Sequence, residues 1–220
     1  MHNRQFDLIV FDWDGTLMDS TATIVAAIQA AARDLQLPTP SQADASWVIG
    51  MGLAEAMQRI APDLAPSQYQ QMMERYHYHY VLRKDETVLF DGVPHMLDEL
   101  AQMGYQLAVA TGKSRAGLER AMHDSGLQHR FDATRCADET FSKPHPAMLL
   151  ELCEQLGHAP ERCVMIGDTT HDLQMAQNAG AHGVAVSYGA HPDHLLDTCR
   201  YLYKAASAGD LHLWLKQHGH

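Results

Sequence analysis

Residues 6–20 read FDLIVFDWDGTLMDS, and the organisation of the whole chain follows from this stretch. Residues 6–11 are mostly apolar with β-branched members and lead into a turn at Gly15, which predicts a short buried strand. Asp12 and Asp14 come directly after that strand, where a turn points side chains out of a sheet. An Asx turn that merely ends the strand is the alternative explanation for these two carboxylates.

A helical segment follows the strand. Apolar residues recur at helical spacing, at Ile24, Ile28, Ala31 and Leu35. Ser20 is placed to act as the N-cap of this helix, and Pro38 prevents its continuation. Residues 41–84 contain two or three further helical stretches separated by glycine and proline, and they show no convincing strand pattern. The sequence therefore predicts a helical insertion after the first strand.

Beyond residue 91 the pattern changes to an alternation of strands and helices. Strand-like runs occupy residues 106–110, 163–167 and 183–187, and the helices between them end near glycines. This alternation predicts an α/β fold with a parallel, doubly wound sheet and right-handed crossovers. Near the end of the chain, Leu211, Leu213 and Leu215 are expected to pack on the core.

In open parallel sheets, ligands bind at the carboxyl ends of the strands, so the residues that follow each strand are the candidates for chemistry. Beside the first strand's aspartates, three places qualify: Thr111-Gly112-Lys113, Ser142-Lys143-Pro144, and Gly167-Asp168 with Asp172. Together these positions offer carboxylates, a hydroxyl, a free backbone amide and two lysines.

The two aspartates suit covalent phosphoryl chemistry. Asp12 is placed to act as a nucleophile, and Asp14 to protonate the leaving oxygen and later activate water. Carboxylates and a phosphoryl group repel one another, so a hard cation with oxygen ligands is expected, and Mg²⁺ fits that need. Asp168 offers another oxygen ligand. Asp172 lies four residues on, either beside the metal or as a first-turn carboxylate favoured by the helix dipole.

The remaining positions suit binding of an anion. Thr111 and Gly112 place a hydroxyl and a backbone amide before a helix, although an ordinary strand-to-helix turn has the same pattern. Lys143 offers a compact positive charge in an acidic chain. Lys113 is interpreted either as a substrate contact or as an exposed first-turn residue.

Composition narrows the classes of partner. The net charge of −11 argues against broad nucleic-acid binding, and the 46% apolar and 20% charged content are those of a globular protein. The four cysteines are widely spaced, which disfavours a zinc or dithiol motif. Without a secretory signal or a run of about eighteen apolar residues, no membrane association is expected, and the predicted location is the cytoplasm.

Four segments together resemble a known family. FDLIVFDWDGTLMDS, AVATGKSR, SKPHP and VMIGDTTHDL are similar, in that order, to the four motifs of the haloacid dehalogenase-like hydrolase superfamily. The resemblance implies a Rossmann-like three-layer core at residues 1–16 and 89–220, with a small all-α cap at residues 17–88. It also implies a small phosphorylated metabolite as the substrate.

The resemblance implies a role for each matching residue. Asp12 would be the nucleophile and a Mg²⁺ ligand, Asp14 the general acid and base with its backbone carbonyl on the metal, and Asp168 a further ligand. Asp172 would lie in the outer shell of the metal. The phosphoryl oxygens would be held by Thr111, Gly112 and Lys143.

Within the superfamily, the second aspartate favours phosphatases and phosphomutases over dehalogenases. The phosphoglycolate phosphatase-like branch is the most similar, although that branch often has Thr-Asn-Lys where this chain has Thr111-Gly112-Lys113. A sugar phosphomutase and a catalytically silent binding module are the alternatives. Substrate choice is expected from residues 47–53 and from Tyr76 to Tyr80, although these tyrosines are more simply explained as residues of a helix interface or of the surface. The sequence leaves the oligomeric state open.

Overall fold

A six-stranded parallel sheet lies at the centre of the structure, a computed structural model that describes residues 5–218. The strands, in chain order, are β1 Leu8–Phe11, β2 Met18–Asp19, β3 Val88–Leu89, β4 Gln106–Thr111, β5 Ala133–Cys136, β6 Cys163–Gly167, β7 His182–Val186 and β8 Lys204–Ala205. The six strands of the large sheet lie in the order β5-β4-β1-β6-β7-β8. The first strand is therefore central, with β4 and β6 as its parallel neighbours.

The described residues form ten α-helices, of which the last six lie against the two faces of this sheet. They are α1 Thr21–Asp34, α2 Gln42–Trp47, α3 Leu53–Ile60, α4 Pro66–Leu82, α5 Val93–Gln102, α6 Arg115–Ser125, α7 Ala147–Leu156, α8 Thr170–Ala179, α9 Asp193–Leu196 and α10 Ala208–His218, with 3₁₀ turns at Lys84–Glu86 and Pro160–Arg162. Leu8 and Val10 pack in a cluster with α7 and α8, whereas Ile9 and Phe11 pack with α5, α6 and α10. Because strand side chains alternate between faces, β1 joins both halves of a three-layer core, as predicted.

The helices α1 to α4 form a separate helical block with an apolar cluster of its own. Ile28, Met57 and Met72 are fully or almost fully buried in that cluster. The chain enters and leaves the block beside an antiparallel ladder in which Met18 pairs with Leu89. Residues 41–84 contain no strand, as predicted.

Three local expectations were wrong. Ala133–Cys136 is a strand that the sequence analysis missed, because it is short and its two central residues are polar and only partly buried. Leu213 is 60% exposed while Leu211 and Leu215 are buried, since this segment is a helix rather than an alternating strand. Ser20 stands at the N-cap position of α1, but its side chain caps no backbone amide there.

Among residues 5–218, no helix combines the length and the apolar character needed to cross a membrane.

Candidate active site

The carboxyl ends of β4, β1 and β6 bring the predicted site residues to one edge of the sheet. Phe11 is in register with Val109 on one side and with Ile166 on the other, and the Asp12 amide donates to the Ile166 carbonyl at 2.9 Å. Asp12 therefore lies at the edge of the sheet between the ends of its two neighbouring strands. Its side chain is nevertheless buried, with 1% exposure.

Lys143 is the most deeply buried cation of the site. Its ammonium donates to Asp12 Oδ1 and to Asp172 Oδ1, both at 2.7 Å. Burial opposes the charge of Lys143, but the two carboxylates hold its pKa above the ordinary lysine value. Burial also raises the pKa of Asp12 well above the usual aspartate range, against the opposing effect of the Lys143 ammonium. Asp12, Lys143 and Asp172 thus form a buried, hydrogen-bonded charge cluster. Removing one member of such a cluster is strongly destabilising.

Asp172 caps the first turn of α8, as one of its two suggested roles required, and also contacts Lys143. Its Oδ2 accepts from the Thr169 amide at 3.1 Å and from the Thr169 hydroxyl at 2.6 Å, which caps the first turn of α8. Its Oδ1 accepts from Lys143. A Cβ at Gly167 would lie 2.2 Å from Asp172 Cγ, so this carboxylate depends on a glycine at the end of β6.

Asp168 is held between two glycine backbones. Its Oδ1 accepts from the Thr16 hydroxyl at 3.0 Å, and its Oδ2 accepts from the Ala190 amide at 2.6 Å. A Cβ at Gly15 would lie 2.1 Å from Asp168 Oδ2, and one at Gly189 would lie 2.2 Å away. Burial, followed by the charge of Asp172, raises the pKa of Asp168 to about 7.

Asp14 faces the helical block and has two donors. The Ser20 hydroxyl donates to Asp14 Oδ1 at 2.6 Å, and Lys113 Nζ lies 2.9 Å from Asp14 Oδ2. The Lys113 side chain is only 12% exposed, so the interpretation of this lysine as an exposed first-turn residue is wrong. Burial works against its charge, yet Asp14 and the hydroxyls of Tyr80 and Tyr76 keep the pKa of Lys113 above its usual range.

Gly112 is the point of closest approach between the core and the helical block. A Cβ there would lie 2.4 Å from the Met51 carbonyl oxygen and 2.7 Å from that of Gly50. Thr111, at the end of β4, is buried, and its hydroxyl accepts from the Lys113 amide at 3.2 Å. A side chain at position 112 would therefore not fit under residues 50 and 51 unless they moved.

Two further contacts attach the helical block to the core. The Ser142 hydroxyl accepts from the Gly52 amide at 2.7 Å, next to Lys143 in the chain. The Trp47 carbonyl lies 2.9 Å from His171 Nε2 and 3.0 Å from His191 Nε2. Burial lowers the pKa of both histidines, so both are neutral at neutral pH and share one carbonyl without repulsion.

The acidic residues form a group suited to a divalent cation. One carboxylate oxygen from each of Asp12, Asp168 and Asp172 lies within 4.8 Å of the others. Asp12 Oδ2 is buried and, among the described residues, has no hydrogen-bond partner. With Asp14 included, four carboxyl groups lie together, and within the described part of the chain the ammonium groups that contact them are those of Lys113 and Lys143. A hard divalent cation with oxygen ligands fits this charge and donor set.

The sequence analysis did not predict three hydroxyl groups that hydrogen-bond to the carboxylates of the site. Thr16 and Thr169 each place a hydroxyl on a site carboxylate, and Ser20 was taken for a helix cap. Thr16 and Thr169 lie within two residues of a site aspartate, and this proximity was the available signal, whereas Ser20 lies six residues after Asp14. Their partners depend on tertiary contacts or on a capping box that the motif alone does not specify.

The comparisons with known proteins agree with this geometry. The sequence model of the haloacid dehalogenase-like hydrolases matches residues 9–186, so the chain belongs to that family. A relative named "probable phosphatase IndB" from Dickeya dadantii is 35% identical, over 91% of this chain and 94% of the relative. A phosphoglycolate phosphatase from Mannheimia succiniciproducens is 29% identical, over 92% of this chain and 99% of the relative.

A solved structure, described as a predicted phosphoglycolate phosphatase from Haemophilus somnus, superposes with a TM-score of 0.86 at 26% identity and covers 98% of this chain and 100% of its own. Family, relatives and fold together identify the chain as a phosphatase, a phosphoric monoester hydrolase acting on a small phosphorylated substrate. Phosphatases of this family generally use a divalent metal, and the buried acidic group is present here.

Proposed function

We propose that the chain hydrolyses small phosphomonoesters in a Mg²⁺-dependent reaction that passes through an aspartyl-phosphate on Asp12. The observation that carries this proposal is the buried Asp12 carboxylate, with one oxygen bound to Lys143 and the other without a partner among the described residues. Such an oxygen is costly to bury unless it has a role that a ligand or metal completes.

The metal would be held by Asp12, by the backbone carbonyl of Asp14 and by Asp168. Asp172, whose oxygens accept hydrogen bonds from Thr169 and Lys143, is assigned to the outer shell by the position it takes in the family's motif. When bound, Mg²⁺ would offset the charge of the carboxylates and of the transferring phosphoryl group.

The proposed reaction has two displacements. In the first, the Asp12 carboxylate forms a bond to phosphorus, the bond from phosphorus to the alcohol oxygen breaks, and Asp14 gives that oxygen its proton. In the second, Asp14 takes a proton from water, the water oxygen attacks phosphorus, and the bond to Asp12 breaks to release phosphate. The Thr111 hydroxyl, the Gly112 amide and Lys143 would hold the phosphoryl oxygens throughout.

Residues 17–88 would act as a cap that excludes water during the first displacement. The Met18–Leu89 ladder supports boundaries near these positions, because it lies where the chain passes between the two units. The substrates named for the relatives make phosphoglycolate one compound to test. The cytoplasmic location and the absence of nucleic-acid and membrane partners stay predictions.

The test is phosphate release from phosphoglycolate, nucleoside monophosphates and sugar phosphates, with and without Mg²⁺. Asp12→Asn is expected to abolish release, whereas the matched control Asp63→Asn, at an exposed position, is expected to leave it unchanged. Turnover by Asp12→Asn at the wild-type rate would overturn the proposed intermediate. Phosphate transfer between sugar positions that requires a bisphosphate would instead favour the phosphomutase.

A further inference from the structure

A cavity of about 460 Å³ opens from the proposed phosphoryl site. It begins beside Asp14 and Lys113 and extends between the helical block on one side and α6 on the other. Pockets of about 300–1,000 Å³ hold ligands of drug size. The cavity is therefore much larger than the two-carbon glycolate group of phosphoglycolate requires.

The wall formed by the helical block is apolar. The residues that line it include Ile24, Ile28, Val48, Ile49, Met57 and Tyr76. Ile28 and Met57 are almost fully buried, although their side chains border the cavity. An alcohol group with an apolar surface would lose contact with water against this wall, which is favourable.

The cations that line the cavity are poorly placed to receive a carboxylate on a short substrate. Lys113 is already paired with Asp14 at 2.9 Å. Lys84 lies 3.5 Å from Asp124, and its side chain is 48% exposed, so it lies at the rim. Arg120 is exposed as well. His77 also lines the cavity and is exposed, so a carboxylate bound inside would meet no buried, unpaired cation of the lining, and burying an unpaired charge is costly.

Two tyrosines of α4 complete the wall. Tyr76 and Tyr80 stack with ring centroids 6.0 Å apart, and Lys113 donates to the Tyr80 hydroxyl at 3.3 Å. Burial raises the pKa of Tyr76, so its hydroxyl stays neutral. The pair offers a flat apolar surface and neutral polar groups, which suit a ring or a branched chain better than an acid.

We propose that the alcohol half of the substrate is an uncharged, mainly apolar group larger than glycolate, bound between Ile28, Met57 and Tyr76. This inference rests on the proposed phosphatase reaction and assigns its substrate class. Phosphomonoesters of primary alcohols that carry a ring or a branched chain meet the description. Phosphoglycolate, whose second half is small and negatively charged, does not.

Three compounds separate size from charge. Ethyl phosphate and phosphoglycolate differ by a methyl group in place of a carboxylate, whereas 2-phenylethyl phosphate adds apolar bulk to the same kind of leaving group. Titration calorimetry of each with Asp12→Asn in Mg²⁺ measures binding without turnover. We expect 2-phenylethyl phosphate to bind about tenfold or more tighter than ethyl phosphate, and phosphoglycolate no tighter than ethyl phosphate.

The same preference is expected in kcat/KM of the wild type. Tyr76→Ala should remove most of the preference for the phenylethyl ester over ethyl phosphate. Tyr78→Ala is the matched control, because Tyr78 lies on the same helix but is 50% exposed and does not line the cavity. Circular dichroism of both variants checks that α4 is retained.

The outcomes distinguish this inference from the reaction on which it rests. Tighter binding and faster turnover of phosphoglycolate than of the phenylethyl ester, in an enzyme that needs Asp12 and Mg²⁺, would overturn the substrate class alone. Equal loss of the preference in Tyr76→Ala and Tyr78→Ala would overturn the inference that the alcohol group binds against Tyr76. Turnover independent of Asp12 would overturn the proposed reaction, while the ranking of kcat/KM among the three esters would still decide which alcohol group the cavity prefers.

Discussion

The two sides of the cavity are built from opposite kinds of residue. On the core side, Asp12, Asp172 and Lys143 form a buried charge cluster with contacts of 2.7 Å. On the side of the helical block, Ile28 and Met57 present apolar surface without fixed polar partners. The difference indicates that the core side determines the reaction, whereas the helical block determines which substrate binds. Substitutions on the core side should therefore lower activity on every ester, whereas substitutions in the apolar wall should change the preference among esters.

The largest effect is expected from breaking the core cluster. Lys143→Met leaves Asp12 and Asp172 buried without their common partner, so the free energy of unfolding should fall by about 3–5 kcal/mol. The value of kcat/KM should fall by at least about a hundredfold on every ester, because a donor to the phosphoryl group is lost. Chemical denaturation and steady-state kinetics measure these changes.

Lys216→Met is the matched control for that variant. Lys216 pairs with Glu99 at the surface and is 44% exposed, so neither quantity should change measurably. An active, stable Lys143→Met enzyme would contradict the idea that the core side depends on fixed charge partners.

A smaller effect is expected where the two sides touch. Gly112→Ala adds a Cβ that would lie 2.4 Å from the Met51 carbonyl oxygen, which pushes the block away from the core without altering any charge. We expect kcat/KM to fall by about a hundredfold or less, because small misplacements of the site are costly. Gly209→Ala on α10 adds a Cβ at an ordinary contact distance of 3.8 Å from the Ser207 hydroxyl oxygen and should retain full activity. Wild-type kinetics in Gly112→Ala would show that activity does not depend on the close contact between Gly112 and the carbonyl oxygens of residues 50 and 51.

The attachment through Trp47 should have a more modest effect. His191→Ala removes one of the two donors to the Trp47 carbonyl and the acceptor for the Thr170 amide, at a cost of about 1–3 kcal/mol. Faster hydrogen exchange and proteolysis of residues 47–52 are expected, with kcat less affected than KM. His194→Ala, at an exposed position on α9, should change none of these. Unchanged hydrogen exchange of residues 47–52 in His191→Ala would show that the contact between His191 and the Trp47 carbonyl does not hold the helical block against the core.

The smallest effect should arise in the apolar wall. Ile28→Val removes one methylene group from the cavity lining, so kcat/KM for 2-phenylethyl phosphate should fall by about twofold to tenfold and that for ethyl phosphate should stay the same. Ile60→Val changes the same apolar cluster away from the cavity lining and should alter neither. An equal loss on both esters in Ile28→Val would indicate that the block also acts on the chemical step.

The core side was largely predictable from sequence, and the reason is physical. Asp12 and Asp168 directly follow strong apolar strands, and parallel strands bring such residues to one edge. The pairing of Lys143 with Asp12 joins residues 131 positions apart and depends on how a loop folds back. The sequence suggested a phosphate contact for this lysine, but not its second partner, Asp172.

The helical block was predictable only in outline. Its helices follow from apolar spacing, but the size of the cavity depends on how they pack, which periodicity does not encode. The explanation of the tyrosines as interface or surface residues fits Tyr76 and Tyr80, which stack on each other and also line the cavity, and the half-exposed Tyr78. Ser20 was mistaken for a cap because the Asp14 carboxylate, a tertiary partner, takes its hydroxyl.

The central claim is the covalent intermediate, and acid quenching tests it most directly. Enzyme mixed with Mg²⁺ and excess substrate is quenched during turnover, digested, and analysed by mass spectrometry, with borohydride reduction to mark the acyl phosphate. The account predicts a phosphoryl group on Asp12, and none on Asp14, Asp168 or Asp172. A phosphorylated residue elsewhere, or turnover without any labelled carboxylate, would contradict it.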